Sequence, residues 1–422
     1  MKKQNHVPDN SNIRFLLLGF LLMSGILLTN SCQKCENEDD ELVMEIGVLM
    51  PLTGEASSIG ESARAALIMA LPEINNSLDS SESNLKIELI IEDTEADGAI
   101  ALQKLKSFYD QGISYVIGPY ISSVAAHILD YANQNGIILL SPSSVATNLA
   151  IAGDNLFRLS SNDRAQAEAI SQLFLYDSIE VIIPVVRDDI WGNGLISDVT
   201  DLISDQGITI SDHVSYNSSD YNSAKIVSDI STAISQELGQ IPSSRIAVYL
   251  ISFGEGTSIL ADAASEPNCS LVKWYGSSAY ANNATLVANS TAADFAIQQS
   301  LLCPVFSPDP AARDLWEPIQ DLLTEQLGRV PESYALLSGD ALFLIVEAYK
   351  NCLDPSDTEA FKSTLVNTSK YHYGSTGRTC FDESGDRKFS SYGFQGIALS
   401  GANYKWKEFG SYSNSNAQLI IY

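Results

Sequence analysis

The sequence predicts an α/β protein of two lobes, each a mostly parallel sheet flanked by helices, joined by crossover strands that act as a hinge. Three observations carry that expectation. Short apolar strands alternate with amphipathic helices from Met44 onward, and strand following helix following strand is the pattern of a parallel sheet. The alternation runs through one series and then, from Glu180, through a second of the same kind. No low-complexity linker divides the two series, so the halves are expected to be joined by more than one chain crossing.

The first series opens with the strand Glu45 to Met50, followed by a helix whose Ala63, Ala66, Leu67, Ala70, Leu71 and Ile74 recur at helical spacing. That stripe reads as core, and Pro72 is expected to kink the helix's last turn. Further strands are predicted at Lys86 to Glu92, Tyr115 to Gly118, Ile137 to Leu140 and Phe157 to Leu159, with helices over 97–111 and 122–134. The second series has strands at Glu180 to Val186, 208–216, 246–252, 271–276 and Leu301 to Phe306. Two long helical patterns, 311–328 and 334–352, come next, and short strands rich in Gly, Ser and Tyr are expected from Phe381 to the end.

The first forty residues have a different character. Lys2, Lys3 and Arg14 precede an apolar run from Phe15 to Leu28, which has the shape of a bacterial export signal and is too short to span a bilayer comfortably. The run ends in Leu28-Thr29-Asn30-Ser31-Cys32. It resembles a lipoprotein cleavage box in which Cys32 becomes the acylated first residue, although Thr29 stands where a leucine is usual. An ordinary signal with an incidental cysteine is the alternative. Residues 36–41, Glu-Asn-Glu-Asp-Asp-Glu, read as a solvated tether. The expected divisions are therefore a signal peptide over 1–31 and an acidic tether over 32–43.

The formal net charge is −28, and residues 1–31 hold three basic residues and one acidic, so the chain from Cys32 onward stands at −30. Such a surface repels nucleic acid and anionic headgroups, which excludes nucleic acid as a partner. With 45% hydrophobic residues there is ample core for two domains. Cys35 falls in the tether, which leaves Cys269, Cys303, Cys352 and Cys380 as two possible disulfides of an oxidising compartment, Cys269 with Cys303 and Cys352 with Cys380. No cysteine pair has the spacing of a zinc site and the four histidines are scattered, so neither metal nor cofactor is expected.

In parallel sheets ligands sit beyond the carboxyl ends of the strands. Four such junctions have suitable chemistry. Pro51 to Gly60 is glycine-rich, and Gly118-Pro119-Tyr120-Ile121-Ser122-Ser123 places two hydroxyls at a helix start. There, free amides and the helix dipole favour a carboxylate, which makes Ser122 a candidate anion ligand or, equally by position, a helix cap. Leu140-Ser141-Pro142-Ser143-Ser144 adds further hydroxyls and backbone donors. The junction Arg187 to Gly194 contains Asp188, Asp189 and Trp191; either Asp reads as ligand partner or cap, and Trp191 as cleft wall or core.

Those segments, with Ile46 to Gly54, Tyr115 to Ser123, Gly136 to Pro142, Trp191-Gly192-x-Gly194 and Phe381 to Asp386 in that order, resemble the type I periplasmic binding proteins of the leucine/isoleucine/valine class over about 44–410. The resemblance implies a clamshell with three crossover strands, hence an N-terminal lobe of 44–161 plus 307–378 and a C-terminal lobe of 162–306 plus 379–422. It implies extracytoplasmic capture of a small solute, amino-acid-like or another small carboxylate, by cleft closure. The solute would pass to an ABC permease, or be sensed through a signalling partner, and no reaction would be catalysed. Carried over position by position, it implies that Ser122 holds the ligand carboxylate, that Ser143 and neighbouring Ser144 supply the strand-end donors, and that Ile59, Trp191 and Phe253 flank the ligand. Two positions depart: Val145 stands where a threonine assists the amino group, and Ser278 where an acid pairs with it. Asp188, Asp189 and Glu255 are the candidate substitutes, since an unpaired buried ammonium is costly. The competing class is a serine hydrolase, for which the sequence offers only Ser83-Asn84-Leu85-Lys86 in a polar loop and no G-x-S-x-G.

Overall fold

The protein is described by a computed structural model over residues 42–54, 56–81, 83–414 and 416–422. The signal segment, Cys32, Cys35 and nearly all of the tether lie outside the described residues. Strand β1 (Leu42–Met50) begins two residues before the expected lobe start.

The first sheet is wholly parallel, in the order β2-β1-β3-β4-β5, with β2 at Leu85–Asp93, β3 at Tyr115–Ile117, β4 at Ile138–Ser141 and β5 at Leu156–Arg158. Helices α1 (Ser57–Ser80), α2 (Gly98–Asp110) and α3 (Ser122–Asn135) connect its strands. On α1 the predicted stripe is buried, Leu71 only partly. Pro72 does not end the helix, which continues to Ser80. The carbonyl it cannot serve belongs to Ile68 on the solvent side, where water can satisfy it.

The second sheet runs β10-β9-β6-β7 with β8 also paired to β6, all parallel: β6 Val181–Arg187, β7 Thr209–Ile210, β8 Val214–Tyr216, β9 Ile246–Ile251 and β10 Lys273–Gly276. Its helices are α4 (Asp163–Tyr176), α5 (Ile190–Ile203), α6 (Ser223–Leu238), α7 (Gly256–Ala263), α8 (Ala284–Ala288) and α9 (Ser290–Gln298). The single strand expected over 208–216 is two short ones, because the polar Ser211-Asp212-His213 lifts off the ladder between them.

The chain then forms β11 (Cys303–Ser307) and returns to the first lobe with α10 (Arg313–Leu327), α11 (Tyr334–Asn351) and α12 (Thr358–Tyr371). Sequence reasoning missed α12, although Asp357 caps it through Glu359 and Ala360 and its Phe361 and Leu365 are fully buried one turn apart. After the hairpin β12 (Tyr373–Gly374) and β13 (Gly377–Arg378), the end of the chain is not a set of short strands. It is a long antiparallel ribbon, β14 (Ser391–Ser400), β15 (Asn403–Ser413) and β16 (Gln418–Ile421), hydrogen-bonded to β11.

The proposed disulfides are corrected: all four cysteines are free thiols. Cys303 packs its sulfur against Gly276, where any added Cβ would lie 2.4 Å away. Cys269 sits in a turn whose carbonyl accepts the Trp274 indole at 2.9 Å. Burial pushes the Cys269 thiol up to about 12, so it carries little thiolate. Cys352 follows α11, and the Cys380 thiol contacts the Phe381 carbonyl at 3.9 Å.

At the crossing, Arg158 on β5 is fully buried and grips Asp386 with two hydrogen bonds of 2.5 Å, while its Nη1 donates to the carbonyls of Ser144 (3.1 Å) and Ala146 (2.7 Å). The Arg158 backbone also accepts from Arg387 and donates to Gly385. One side chain thus joins β5, the loop after β4 and the crossover of 379–390. Breaking a buried pair by removing one partner leaves an uncompensated charge. Asp386→Asn is therefore expected to destabilise the protein by about 3–5 kcal/mol, read as a lower urea midpoint with an unchanged slope. A loss under about 1 kcal/mol would mean that the guanidinium is solvated.

Candidate functional site

The site is built where the strand ends of both lobes converge. After β3, Gly118 takes a positive φ of 107°, and a Cβ there would lie 2.3 Å from the Leu49 carbonyl, so the turn requires glycine. The next residue begins a knot. The hydroxyls of Ser141 and Ser144 both donate to the Pro119 carbonyl at 2.7 Å, and that of Ser143 to the Tyr120 carbonyl at 2.7 Å. Three hydroxyls of the β4 junction are thereby engaged in holding one loop to another.

Ser122 is different. It does not cap α3, whose cap position is Ile121 with no side-chain hydrogen bond. Its Oγ accepts from the amides of Val145 and Ala146, each at 3.2 Å. A hydroxyl oxygen that accepts still has one proton to donate. The start of α3 also leaves its first amides without intrahelical partners.

The junction after β1 is fixed from below by Asp93, which accepts from the Leu52 amide (2.8 Å), the Thr53 hydroxyl (2.7 Å) and the Glu95 amide (2.8 Å). Burial alone would raise this carboxyl, but those hydrogen bonds hold it below its ordinary value. This places Ile59, in the first turn of α1, against the cleft.

In the second lobe, Trp191 and Phe253 stack with ring centroids 4.9 Å apart and planes within 9°, and the Arg187 guanidinium lies 4.6 Å from the Phe253 centroid. Arg187 in turn pairs with Asp189 and Glu255, each at 2.8 Å. Asp189 also accepts the Gly192 amide at 2.8 Å, which makes it the N-cap of α5. Glu255 further accepts the Tyr216 hydroxyl at 3.0 Å. Asp188 is exposed, bound to Asn193 at 2.9 Å.

These elements enclose a cavity of about 10 Å³, near the room needed for the centre of one water. Of the residues expected at the site, Ile59, Ser122, Ser143, Val145, Trp191 and Phe253 line it. Three do not. Ser144 is fully buried behind its loop, Asp189 is engaged as cap and ion partner, and Ser278 lies a layer back, its amide on Gln166 Oε1 at 2.5 Å. Tyr120, Ile121, Ala279 and Tyr334 complete the lining. All but Tyr334 were within reach of the strand-end rule. Tyr334 comes from α11, far along the chain, where no local signal marks it.

Sequence reasoning also missed Asp163. This first residue of α4 is 1% exposed; its Oδ1 accepts Gln166 Nε2 at 2.7 Å and its Oδ2 has no hydrogen-bond partner. The Trp191 indole faces the carboxyl without reaching hydrogen-bond geometry. Its amide donates to the Val145 carbonyl at 2.7 Å. The carboxyl therefore lies directly behind the wall made by Val145, Trp191 and Tyr334. Burial pushes it up to about 8, only partly offset by Arg158.

The hydrolase motif dissolves at the other end of the lobe. Ser83 Oγ accepts the Leu85 amide at 3.2 Å, and Lys86 pairs with Glu88 at 3.3 Å, so the two residues serve the entry to β2. Among the described residues no His, Cys, Asp or Glu cluster is placed to hold a metal ion, and no helix is long and apolar enough to cross a membrane.

An acid whose folded value is raised binds more protons folded than unfolded between the ordinary 3.8 and about 8, so its contribution to stability falls as pH rises through that range. Asp163→Asn keeps the acceptor for Gln166 and removes the titration. Thermal denaturation should show the variant gaining on the wild type from about pH 4 to about pH 8 and no further above it. A constant difference across that range would place the carboxyl in water.

Comparison with known proteins fits this architecture. Over residues 62–395 the chain matches the profile of the family described as the receptor family ligand binding region. It is 25% identical to an uncharacterized protein of Methanocaldococcus jannaschii, over 96% of this chain and 98% of that one. It is also 25% identical to the Leu/Ile/Val-binding protein homolog 3 of Brucella melitensis, over 44% of this chain and 51% of that one. Among solved structures, a Desulfitobacterium hafniense ABC transporter substrate-binding protein in complex with Leu superposes with a TM-score of 0.65 at 21% identity, covering 86% of this chain and all of that one. A Rhodopseudomonas palustris solute-binding protein in complex with benzoate gives 0.71 at 16% identity, covering 90% and 98%. The match spans most of both lobes, and the chain belongs to the receptor ligand-binding-region family.

Proposed function

We propose that this protein is an extracytoplasmic binding protein that closes its lobes on a small carboxylate-bearing solute and delivers it to an ABC importer, without catalysing a reaction. One observation carries the reading. The uncapped start of α3, the unused proton of Ser122 and the stacked Trp191–Phe253 pair converge on one cavity between the lobes. The polar groups suit a carboxylate and the aromatic wall suits an apolar body. Relatives named for leucine, isoleucine and valine binding, and fold neighbours solved with leucine or benzoate, support the same ligand class.

Contacts that cross between lobes support closure. Thr147 in the first lobe donates to Asp198 on α5 at 2.5 Å, and the Tyr334 hydroxyl lies 3.4 Å from Ser278. The Cys32 anchor belongs to the same reading, since a tethered receptor must reach a permease in the same membrane. Labelling with a fatty-acid analogue should mark the wild type and not Cys32→Ala; equal labelling of both would remove the anchor.

The site itself is tested by two hydroxyls with different duties. In calorimetry with L-leucine and benzoate as probes, Ser122→Ala should weaken binding by about 1–3 kcal/mol, as for an unsatisfied buried partner. Ser143→Ala, whose hydroxyl is engaged with Tyr120, should lower the melting temperature and leave affinity within about threefold. If both variants lose affinity alike, the carboxylate does not rest on Ser122.

A further inference from the structure

We propose that the groove beside the crossover strands, lined by Arg378 and Arg387, is a second binding site, for a small dianionic oxyanion that carries a hydroxyl proton: hydrogen phosphate or a hydroxylated phosphomonoester. It shares no lining residue with the cleft.

Acidic residues outnumber basic ones by 52 to 24 in this chain, so a cation has carboxylates close at hand almost everywhere. Six of the nine described arginines accordingly lie within 4 Å of one. Among the described residues Arg64, Arg378 and Arg387 do not. Arg64 is exposed on α1, whereas Arg378 and Arg387 line one cavity of about 410 Å³.

Arg378 is exposed, but Arg387 is only 5% exposed and meets neutral groups alone. Its Nε donates to the Phe389 carbonyl (3.2 Å), its Nη1 to the Leu159 carbonyl (3.5 Å) and the Thr376 hydroxyl (2.8 Å), and its Nη2 to the Thr376 carbonyl (2.9 Å). Four bonds for five N–H groups leave one hydrogen of Nη2 unused. The Phe306 ring centre lies 5.0 Å from the guanidinium. Burial without a contacting carboxylate lowers this arginine to about 10, with Asp340 and Asp309 acting on it only from a distance. An anion in the groove would supply the missing countercharge, and the two guanidiniums together match two negative charges.

The rest of the lining suits an oxyanion. Ser307 and Ser391 pair across β11 and β14, and Ser411 lies opposite Gly393, so these three hydroxyls share one face of the ribbon. Each can donate to an oxygen. The groove also sits where the passages of the chain between the lobes meet. Arg387 touches Leu159 before the first, Phe306 at the second and Phe389 in the third.

Two carboxyls in the groove set its selectivity. Asp309 accepts the Ala311 amide at 2.9 Å and the Tyr373 hydroxyl at 3.5 Å. Glu408 accepts the Tyr422 hydroxyl at 3.4 Å and the Gln395 amide at 3.5 Å, and burial raises it above its ordinary value. An acid beside an anion is tolerated only when a proton lies between them. Hydrogen phosphate brings that proton in its P–OH and a hydroxylated monoester in its alcohol, whereas sulfate has none.

The full chain is titrated with sodium phosphate, glycerol 3-phosphate and sodium sulfate, each against sodium chloride of equal ionic strength. The titration runs at about pH 7.5, where phosphate and its monoesters are mainly dianions. Phosphate and glycerol 3-phosphate should raise the melting temperature saturably, and calorimetry should show sulfate at least about tenfold weaker. Arg378→Gln, a change at an exposed side chain, should weaken phosphate by about tenfold or more without lowering the melting temperature in chloride. Ser122→Ala, in the cleft, should leave phosphate binding unchanged. Tighter binding of glycerol 3-phosphate than of phosphate identifies the ester as ligand and the reverse identifies the free ion; either supports the site. A rise that does not saturate and is equal in wild type and Arg378→Gln is general salt exclusion and overturns the inference, as does the absence of any rise. Sulfate binding as tight as that of phosphate overturns it as well, and so does phosphate binding lost in Ser122→Ala but kept in Arg378→Gln.

Discussion

The arrangement of the cleft depends on where Arg158 puts its charge. A fully buried guanidinium must find several acceptors, and this one finds them in three separate stretches of chain. Asp386 belongs to the last crossover, and the Ser144 and Ala146 carbonyls belong to the loop after β4. Fixing the Ser144 carbonyl orients the Val145 amide of the same peptide unit toward Ser122, and the Val145 carbonyl, which accepts the Asp163 amide, does the same for the Ala146 amide. The crossover and this edge of the cavity are thus one hydrogen-bonded unit.

The second lobe solves a similar problem differently. Arg187 is kept near the cleft by two carboxylates and by the face of Phe253. That commits Asp189 and one oxygen of Glu255 to Arg187, leaving Glu255 Oε2 without a partner, while it braces the aromatic wall. The two arginines leave the carboxyls around the cleft in unequal states: those beside an arginine have a countercharge in contact, and Asp163, whose charge Arg158 favours without a hydrogen bond to it, does not. Such inequality gives a pocket a preferred orientation for a polar ligand, which uniform compensation would not.

The parts of this arrangement that follow local rules were legible in the sequence. The alternation of strands and helices specified two parallel sheets, and the strand-end rule led to Ile59, Ser122, Ser143 and Trp191, because position after a strand is a local property, whereas Val145 and Phe253 came from the family resemblance. Three kinds of feature escaped. Ser144 and Asp189 have the composition of ligand groups, yet their hydrogen bonds run back into the protein, and only the fold reveals where a side chain's second bond goes. Tyr334 and α12 are brought in by topology from residues hundreds of positions away. Asp163 drew no reading from the sequence, since acidic residues are common at helix starts for their effect on the helix dipole. Its burial and its unpaired oxygen come from neighbours on β5, β9, α11 and β14, which no window of sequence contains. The cysteines failed for a related reason, since spacing along the chain says little about whether two sulfurs face one another.

The small size of the cavity bears on how closure works. The polar contacts that cross between the lobes beside it include Thr147 with Asp198, Tyr334 with Ser278 and the Asp163 amide with the Val145 carbonyl, and a single apolar cluster contains Val145 from one lobe together with Trp191 and Phe253 from the other. Parting the lobes would wet those aromatic faces, so apolar burial already favours closure before any ligand contributes. A ligand shifts such an equilibrium only by the difference in its affinity for the two states. A solute that merely filled the cleft with apolar surface would replace contacts the lobes make with each other and gain little. Groups that the protein leaves unsatisfied near the cavity, among them the Ser122 proton, Asp163 Oδ2 and Glu255 Oε2, are the ones whose bonding would differ between the two states.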